Sequence, residues 1–301
     1  MTYPFGKIGF VGIGAMGTPM ASNLSRAGYR LVIYDADPGR AALLAATHEV
    51  EVARNLPDLG AQSGTVITML PDGKAVREVI CGENDSFRNC VAAGLKAGSI
   101  VIDMSSSSPI GTRELGVRLE KRGVLFIDAP VSNGVRGAIA GTLSIMVGGD
   151  KALFERCKPL FEKLGNQIFH AGPLGAGHAI KALNNYVSAA GLVAACEAVI
   201  VGRRFGLDPD VVVDILNASS GMNNTTKNKL KQFMLSGKFS TGFTTGLMAK
   251  DVRTALEVAE AMHGPDRMAQ HTAAIWNDAE KNLGVTSDHT EIFKYLEKSE
   301  G

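Results

Sequence analysis

A glycine-spaced turn between a predicted strand and a predicted helix is the feature that most constrains this chain. The stretch GFVGIGAMGTPMASNL places Gly12, Gly14 and Gly17 in a G-x-G-x-x-G arrangement directly after an apolar run. The first glycine of such a pattern allows a tight turn, the second leaves room for a pyrophosphate, and the third lets helix and strand pack closely. The phosphates then lie at the positive N-terminus of the helix. The pattern therefore predicts a dinucleotide-binding βαβ unit.

An aspartate at the end of the next predicted strand favours NAD over NADP. Asp35 follows Gly12 by 23 residues, in the stretch IYDAD. A carboxylate there accepts hydrogen bonds from the ribose hydroxyls and repels a 2′-phosphate. Arg40 would meet a 2′-phosphate if Asp35 turned away, so NADP remains the less favoured alternative. The residues expected to border the cofactor at the turn are Gly12, Ile13, Gly14, Ala15, Met16 and Gly17.

Strand and helix patterns alternate through the first half of the chain. The predicted strands are Lys7–Val11, Leu31–Tyr34, Thr65–Leu70, Ile100–Met104, Val124–Asp128, Leu143–Val147 and Gln167–His170. The predicted helices between them are Ala15–Ala27, Gly39–Ala46, Lys74–Ile80, Pro109–Lys121 and Lys151–Leu164. Apolar strands alternating with helices predict an α/β, Rossmann-type, doubly wound and mostly parallel sheet with both faces covered.

The pattern changes at the glycine-rich stretch HAGPLGAG. Beyond it we find helical periodicity without strand alternation, which begins with a long helix from about Gly177 to Arg204. We therefore predict a dinucleotide-binding domain over residues 1–172. An all-helical domain for substrate binding and dimerisation is predicted over residues 173–301.

Composition excludes several classes of partner. Lys and Arg number 31 against 30 Asp and Glu, so the net charge of +1 offers no basic surface for nucleic acid. The four cysteines and six histidines show no metal-ligand spacing, and we expect no metal. The chain enters an apolar run without a cationic segment and cleavage site, so we expect a cytoplasmic protein. The stretch VSAAGLVAACEAVIVG is interrupted by Glu197, and we expect it to be too short to span a membrane.

Four separated motifs resemble those of the β-hydroxyacid dehydrogenase family, which includes 3-hydroxyisobutyrate dehydrogenases and tartronate semialdehyde and glyoxylate reductases. They are GFVGIGAMG, DAPVSNGVRGAIAGTLSIMVGG, GAGHAIKALNN and LMAKDVRTAL, in that order, and the likeness continues to the tail SDHTEIFKYLEK. The resemblance covers essentially the whole chain. It implies an NAD-dependent enzyme acting on a small hydroxy acid or semialdehyde, assembled as a homodimer or homotetramer.

The resemblance also implies roles for individual residues. Lys181 would be the catalytic acid/base, and Asn185 would orient the reacting oxygen. Ser132 with the backbone of Asn133 and Gly134 would hold the substrate carboxylate. The residues implied to border the substrate from the helical domain are Phe243 and Asp251. The residues implied to lie beside the cofactor are Leu70, Pro71, Ser106 and Lys250.

Physical chemistry supports the part given to Lys181. Four residues separate it from Asn185, so the two side chains share one helix face. Burial and a positive nicotinamide ring both disfavour the ammonium form and lower the pKa of a lysine towards the working pH. A lysine that extends into solvent from a helix end is the alternative on spacing alone. Beside the family motif, we expect Lys181 to carry the chemistry.

Two local features depart from the simplest expectation. Asn133 stands where the family has the first of two glycines, and it adds a side chain to the expected carboxylate pocket. The polar run NNTTKNKLKQ carries Lys227, Lys229 and Lys231, which do not all share a helix face. We interpret that run as a solvated helix start and not as a substrate-binding cluster.

Three other functions compete with the dehydrogenase. Imine reductases resemble this architecture but typically lack the lysine that this chain has at position 181. A dinucleotide-binding sensor or scaffold without catalysis is the alternative from another class, and the absence of a basic footprint speaks against chromatin binding. A 6-phosphogluconate dehydrogenase would carry a histidine where this chain has Asn184.

Overall fold

The chain separates into two compact units with their border between Lys181 and Ala182. The computed structural model describes residues 5–298. The first unit holds the sheet, and the second is helical. The border lies inside a helix that begins at Ala176.

Nine strands form one sheet in the order β3-β2-β1-β4-β5-β6-β8-β7, with β9 paired to β8. The strands are β1 (Ile8–Val11), β2 (Leu31–Tyr34), β3 (Val50–Val52), β4 (Thr65–Thr68), β5 (Ile100–Asp103), β6 (Leu125–Asp128), β7 (Val131–Ser132), β8 (Leu143–Gly148) and β9 (Gly165–Gly172). The helices that begin in this unit are α1 (Gly17–Arg26), α2 (Pro38–Ala45), α3 (Leu56–Gln62), α4 (Gly73–Cys81), α5 (Val91–Gly94), α6 (Pro109–Glu120), α7 (Gly134–Ala140), α8 (Lys151–Phe161) and α9 (Ala176–Arg204).

Both faces of the sheet are buried, which confirms the doubly wound class. In β1 the consecutive residues Phe10 and Val11 belong to two different core clusters, one on each face of the sheet. In β2, Ile33 belongs to the cluster of Phe10 and Val32 to that of Val11. A strand covered on both sides is apolar at every position, so its sequence reads as a continuous run and not as an alternation.

The central strand is the point where the chain reverses its direction of winding. β1 pairs in parallel with β2 on one side and with β4 on the other. Ligands of open parallel sheets bind beyond the carboxyl ends of the strands at such a switch point. The glycine turn that follows Val11 therefore lies where a dinucleotide is expected.

The structure differs from the predicted sheet at its margins. The short strands β3 and β7 were not predicted, because stretches of three and two residues carry too little periodicity. The strand β8 runs antiparallel to β6 and β7, so the sheet is mostly parallel, as predicted.

The second unit is built on the long helix α9. The helices that follow it are α10 (Pro209–Ala218), α11 (Asn224–Asn228), α12 (Thr245–Ala261), α13 (Arg267–Leu283) and α14 (Ile292–Lys298), with a π-helical segment at Leu230–Leu235. Leu192, Cys196 and Val199 of α9 are buried against Trp276 of α13. Among the residues that the structure describes, no named strand follows α9, in agreement with the sequence pattern.

Helix α9 begins within one residue of its predicted start and ends at the predicted Arg204. At 29 residues the whole helix is long and apolar enough to cross a membrane by length and composition alone. The core helix of a globular unit passes the same test, and 44% of its most apolar window is buried within the protein. Its place in the core of the second unit accounts for that composition.

Candidate active site

The glycine turn has the backbone geometry that its sequence predicts. Gly12 has a φ of +98°, and a Cβ there would lie 2.2 Å from the carbonyl oxygen of Met69. A Cβ on Gly17 would lie 1.8 Å from the carbonyl oxygen of Gly12, so only glycine allows this approach of helix to strand. A Cβ on Gly14 would meet only Arg40, at 3.9 Å, and would fill otherwise open space. This cradle fits the pyrophosphate of a dinucleotide.

Asp35 is held directly beside the turn. Its Oδ2 accepts a hydrogen bond from the backbone N–H of Ile13 at 2.7 Å, and its Oδ1 accepts one from Asp37 N–H at 2.8 Å. Arg40 Nη1 lies 3.9 Å from the Asp35 carboxylate, whose side chain is 9% exposed. The two backbone bonds hold the carboxylate beside the turn.

A cavity of about 620 Å³ opens at the same place. Ile13, Gly14 and Ala15 of the turn form part of its wall with Arg40. The remaining lining residues are Thr18, Pro19, Ser22, Asn23, Arg26, Val135 and Ile139. Three of the predicted cofactor residues of the turn therefore line one cavity.

A buried aspartate ties together the carboxyl ends of β4 and β5. Asp103 accepts hydrogen bonds from Thr68 Oγ1 at 2.9 Å and from Ser107 Oγ at 2.7 Å. The backbone N–H of Leu70 donates to Ser105 Oγ at 2.9 Å. These contacts bring the segments that carry Leu70 and Ser106 side by side.

The lysine of the opening motif faces the predicted carboxylate site. Lys181 Nζ lies 3.1 Å from Ser132 Oγ, and both side chains are partly buried. Ser132 ends β7, whereas Lys181 lies in the second turn of α9. Two residues 49 positions apart, which the family resemblance assigned to one substrate, are therefore hydrogen-bonded neighbours in the first unit.

Asn133 has a left-handed backbone conformation of the kind that favours glycine. Its φ is +82° and its ψ is 7°, in the left-handed region, where asparagine is tolerated better than most residues. Its Nδ2 donates to the carbonyl oxygen of Thr142 at 3.1 Å. The following residue, Gly134, also has a positive φ, of +57°. The asparagine amide is thus tied to the end of the loop that follows α7.

A fully buried carboxylate fixes the start of the helix that carries Lys181. Asp128 accepts hydrogen bonds from the backbone N–H groups of Gly175 and His178, each at 2.7 Å. A Cβ on Gly177 would lie 2.2 Å from the carbonyl oxygen of Met146, so helix and sheet are in backbone contact. Burial raises the pKa of Asp128. Sequence analysis did not single out Asp128, although DAP at the end of a strand was the available signal.

In the second unit, the amide nitrogen and the amide oxygen of Asn185 each form a hydrogen bond. Its Nδ2 donates to Asp251 Oδ2 at 2.5 Å, and its Oδ1 accepts from Asn184 at 3.1 Å. Lys250 Nζ lies 3.2 Å from the other oxygen of Asp251. Asp251 and Asn185 are buried. Three predicted site residues thus form one cluster, whose carboxylate fixes the orientation of the asparagine amide.

Phe243 has its contacts in a different cluster. Its ring meets that of His289 edge to face, with centroids 5.5 Å apart. His289 is also 3.1 Å from Lys229, whose pKa burial lowers to about 8. The interpretation of Lys229 as part of a solvated helix start was therefore wrong, whereas Lys227 is exposed as expected. The sequence analysis missed this cluster because its members are 46 to 60 residues apart.

Comparison with known proteins matches both parts of the chain to dehydrogenase families. The NAD binding domain of 6-phosphogluconate dehydrogenase matches residues 7–172. The NAD-binding domain of NADP-dependent 3-hydroxyisobutyrate dehydrogenase matches residues 175–296.

Individual relatives match almost from end to end. The 2-hydroxy-3-oxopropionate reductase of Escherichia coli is 38% identical over 292 residues, which are 97% of this chain and 97% of that protein. The solved structure of Mycobacterium tuberculosis 3-hydroxyisobutyrate dehydrogenase with L-serine superposes with a TM-score of 0.87 at 33% identity, covering 96% of this chain and 98% of the other. An imine reductase from Myxococcus stipitatus has 16% identity, a TM-score of 0.64 and coverages of 96% and 99%, a likeness of fold alone. From the first strand to the last helix, this chain belongs to the β-hydroxyacid dehydrogenase family.

Proposed function

We propose that this chain is an NAD-dependent dehydrogenase that interconverts a short 3-hydroxy acid and the matching semialdehyde or oxo acid. The Escherichia coli reductase and the Mycobacterium tuberculosis dehydrogenase named above act on compounds of this class, by their names. The observation that carries the proposal is the 3.1 Å hydrogen bond from Lys181 to Ser132, in the unit that also holds the glycine turn. It puts a proton carrier next to the group expected to bind the acid.

The cofactor is assigned to the first unit chiefly by its backbone. The N–H groups at the start of α1 favour a pyrophosphate between Gly12 and Gly17. Asp35 would receive the adenosine ribose hydroxyls, since each carboxylate oxygen retains acceptor capacity beyond its one backbone bond. The further residues proposed to lie beside the cofactor are Leu70, Pro71, Ser106 and Lys250. When bound, NAD supplies the acceptor for the hydride.

The substrate carboxylate is assigned to the turn after β7. Ser132 Oγ donates one hydrogen bond, and the backbone N–H groups of Asn133 and Gly134 add donors without adding charge. The left-handed conformations of Asn133 and Gly134 suit successive N–H groups to a common anion. Because the Asn133 amide is bonded to Thr142, substitution of the family glycine is compatible with this role.

Lys181 is proposed to move the proton of the reacting hydroxyl. In the oxidation the neutral amine takes this proton as the C–H bond gives up its hydride, and a carbonyl and an ammonium group result. In the reduction the ammonium returns the proton to the forming alkoxide. The Ser132 hydroxyl holds the lysine at the acid-binding turn, and the Asp128 bonds at the helix start limit its movement.

Asn185 is proposed to donate a hydrogen bond to the same oxygen. One of its two amide hydrogens is directed to Asp251, which leaves the other for the substrate. Phe243 and Asp251 are proposed to border the substrate. An asparagine held by a buried carboxylate orients the reacting oxygen without competing for its proton.

The experiment is a turnover measurement on Lys181→Ala, in both directions and with a panel of 3-hydroxy acids and semialdehydes. We expect turnover to fall about 10²- to 10⁴-fold with NAD affinity nearly unchanged. The matched control is Lys227→Ala, which removes an exposed lysine and should leave turnover at the wild-type level. Wild-type turnover by Lys181→Ala would refute the assigned role. NAD binding without turnover of any substrate by the wild type would support a non-catalytic module instead.

The chain is further proposed to form a homodimer or homotetramer. The outward face of α9 and the turn after it expose Val187, Val201 and Phe205, the last by 85%. Val211 and Ile215 of α10 are exposed as well. Exposed large apolar side chains such as these favour contact with a partner, and the small residues of α9 suit close helix packing with a second copy. Light scattering should give a multiple of the 31.7 kDa chain mass, and Val201→Glu should reduce it.

A cytoplasmic location and the two domain roles complete the proposal. The four cysteines, Cys81, Cys90, Cys157 and Cys196, are all free and buried, as expected in a reducing compartment. We assign residues 1–172 to dinucleotide binding and residues 173–301 to substrate binding and dimerisation. Fractionation of cells that express the full chain tests the location.

A further inference from the structure

A second partly buried lysine of the chain, Lys229, has no part in the proposed chemistry and lies in a polar cluster beside Phe243. We define the Lys229 cluster as Lys229, Thr241, Phe243, Asp288 and His289, all in the second unit. Lys229 Nζ lies 3.1 Å from His289 Nε2, and His289 is only 2% exposed. A buried imidazole beside a lysine is unfavourable unless each nitrogen has a defined partner.

The partners determine which nitrogen of His289 carries the proton. An ammonium group only donates, so His289 Nε2 must accept from Lys229. The ring proton is then on Nδ1, which lies 3.0 Å from the carbonyl oxygen of Phe243. Burial, reinforced by the Lys229 charge, lowers the pKa of His289 to about 4, so the ring is neutral at pH 7. The pKa of Lys229, about 8, leaves it mostly charged at that pH.

The hydroxyl of Thr241 is consistent with this assignment. It donates to the Asp288 carboxylate, with oxygen distances of 2.8 and 3.0 Å. Its oxygen therefore remains an acceptor towards His289 Nδ1, at 3.0 Å. Every polar neighbour of Nδ1 accepts, and the polar neighbour of Nε2 donates. The cluster favours one tautomer from both ends.

This tautomer holds Phe243 in place. The Phe243 carbonyl oxygen accepts from His289 Nδ1 and from the backbone N–H of His289, at 3.0 and 2.9 Å. The Phe243 ring lies edge-on to the imidazole at an interplanar angle of 85°. Asp288 Oδ2 accepts from the backbone N–H of Gly242 at 2.9 Å. The segment before α12 is thus fixed by its backbone as well as by its ring.

We propose that Lys229 is a positioning residue, which selects the Nδ1–H tautomer of His289 and through it holds Phe243 where the substrate is bound. The effect on the substrate rests on the proposed function of Phe243. The effect on the tautomer does not, so the two can fail separately. A lysine that only fills space would be replaced by methionine of similar length without a change at the imidazole.

The test compares Lys229→Met, which removes the donor, with Lys229→Gln, which retains an N–H donor on a shorter side chain. Lys227→Met is the matched control, an exposed lysine two residues earlier. The full-length protein is labelled with ¹⁵N-histidine, and the His289 signals are identified by their loss in His289→Gln. We expect the wild type and the control to show the Nδ1–H tautomer. Lys229→Met should show an increased share of the Nε2–H tautomer.

Steady-state kinetics supply the second readout. Lys229→Met should raise KM for the hydroxy acid about 3- to 10-fold, with KM for NAD unchanged, and Lys229→Gln should recover part of that loss. An unaltered His289 tautomer in Lys229→Met would overturn the inference. A changed tautomer with an unchanged KM would instead remove Phe243 from the substrate site, which concerns the proposed function. If Lys229→Met does not fold, the tautomer and KM of Lys229→Gln decide, since a weaker donor should shift both in the same direction.

Discussion

Each unit of the molecule contains a buried network in which an aspartate and a histidine hold a backbone segment. In the first unit Asp128 accepts two backbone N–H groups, and His178 lies with its ring nitrogens 3.6 Å from Asp128 and Asp103. In the second unit Asp288 accepts two backbone N–H groups, from Gly242 and Thr290. The residue types are the same in the two networks.

The two networks differ in the charges that surround their histidines. His178 lies between two carboxylates, and its presence opposes the rise that burial causes in the pKa of Asp128. His289 faces the cation of Lys229, which adds to the lowering of its pKa by burial. Hydrogen bonds from Thr290, Thr241 and Gly242 lower the pKa of Asp288 despite its partial burial. The charged neighbours of each histidine, and not the residue types, therefore decide which of the two networks is destabilised at low pH.

The largest effect is expected from breaking the network of the first unit at Asp128. Asp128→Ala leaves two buried backbone N–H groups without their acceptor, each at a cost of about 1–3 kcal/mol. We therefore expect the free energy of unfolding to fall by roughly 2–6 kcal/mol, measured by urea denaturation. Turnover should fall as well, because the start of the helix that carries Lys181 is released.

Asp150→Ala is the matched control. Asp150 also caps a helix in the first unit, by accepting from Leu153 N–H at 2.9 Å, but it is exposed. Loss of such a cap costs about 1 kcal/mol. Equal losses of unfolding free energy in the two variants would show that burial of the Asp128 hydrogen bonds adds nothing to the stability they provide.

A smaller effect is expected from acid at the network of the second unit. The unfolded state protonates histidine near pH 6.5, whereas His289 in the folded state resists protonation down to about pH 4. The unfolded state therefore binds more protons in this window, and stability falls as the pH decreases through it. Between pH 7 and pH 5 this group alone should cost about 2 kcal/mol.

The measurement is the difference between the unfolding free energies at the two pH values, taken for the wild type and for His289→Gln. The variant should lose less stability on acidification, because glutamine does not titrate. His271→Gln, which removes an exposed histidine, should behave as the wild type. If His289→Gln keeps the full wild-type loss, the Lys229 cluster is not the origin of the pH dependence.

The smallest effect concerns a third aspartate with two backbone bonds, Asp35. Asp35→Asn retains an acceptor for one of its backbone partners but removes the charge that repels a 2′-phosphate. We expect bound NAD to stabilise the fold of the variant as it does that of the wild type. The kcat/KM advantage of NAD over NADP should shrink about tenfold. Asp35→Ala serves as comparison and should weaken NAD further. Unchanged selectivity in both variants would assign cofactor choice to residues other than Asp35.

The sequence predicted the parts of the site that depend on local backbone conformation. The positive φ of Gly12 and the close approach at Gly17 follow from residue type and spacing. The left-handed conformation of Asn133 is one that asparagine tolerates better than most residues. The Ser132–Lys181 pair was anticipated through family motifs, and the structure supplies its 3.1 Å distance. The doubly wound class followed from continuous apolar strands.

The missing parts are those held by contacts between distant side chains and backbone. Asp128 binds Gly175 and His178 across 47 and 50 residues, and neither partner has a sequence pattern that indicates such a bond. Lys229 lies in a polar run, and only the tertiary contact with His289 explains its burial. Periodicity reports the environment of a helix face but not a single partner brought in from another element.

The most direct test of the central claim, that Lys181 moves the substrate proton, is the pH dependence of kcat/KM for oxidation in the wild type and in Lys181→Ala. The account predicts that wild-type kcat/KM rises with pH through one ionisation, as the amine becomes free to accept the proton, and that the variant loses both this limb and about 10²- to 10⁴-fold of the rate. A variant that is slow but keeps the same limb would contradict the account, as would one that matches the wild type at every pH.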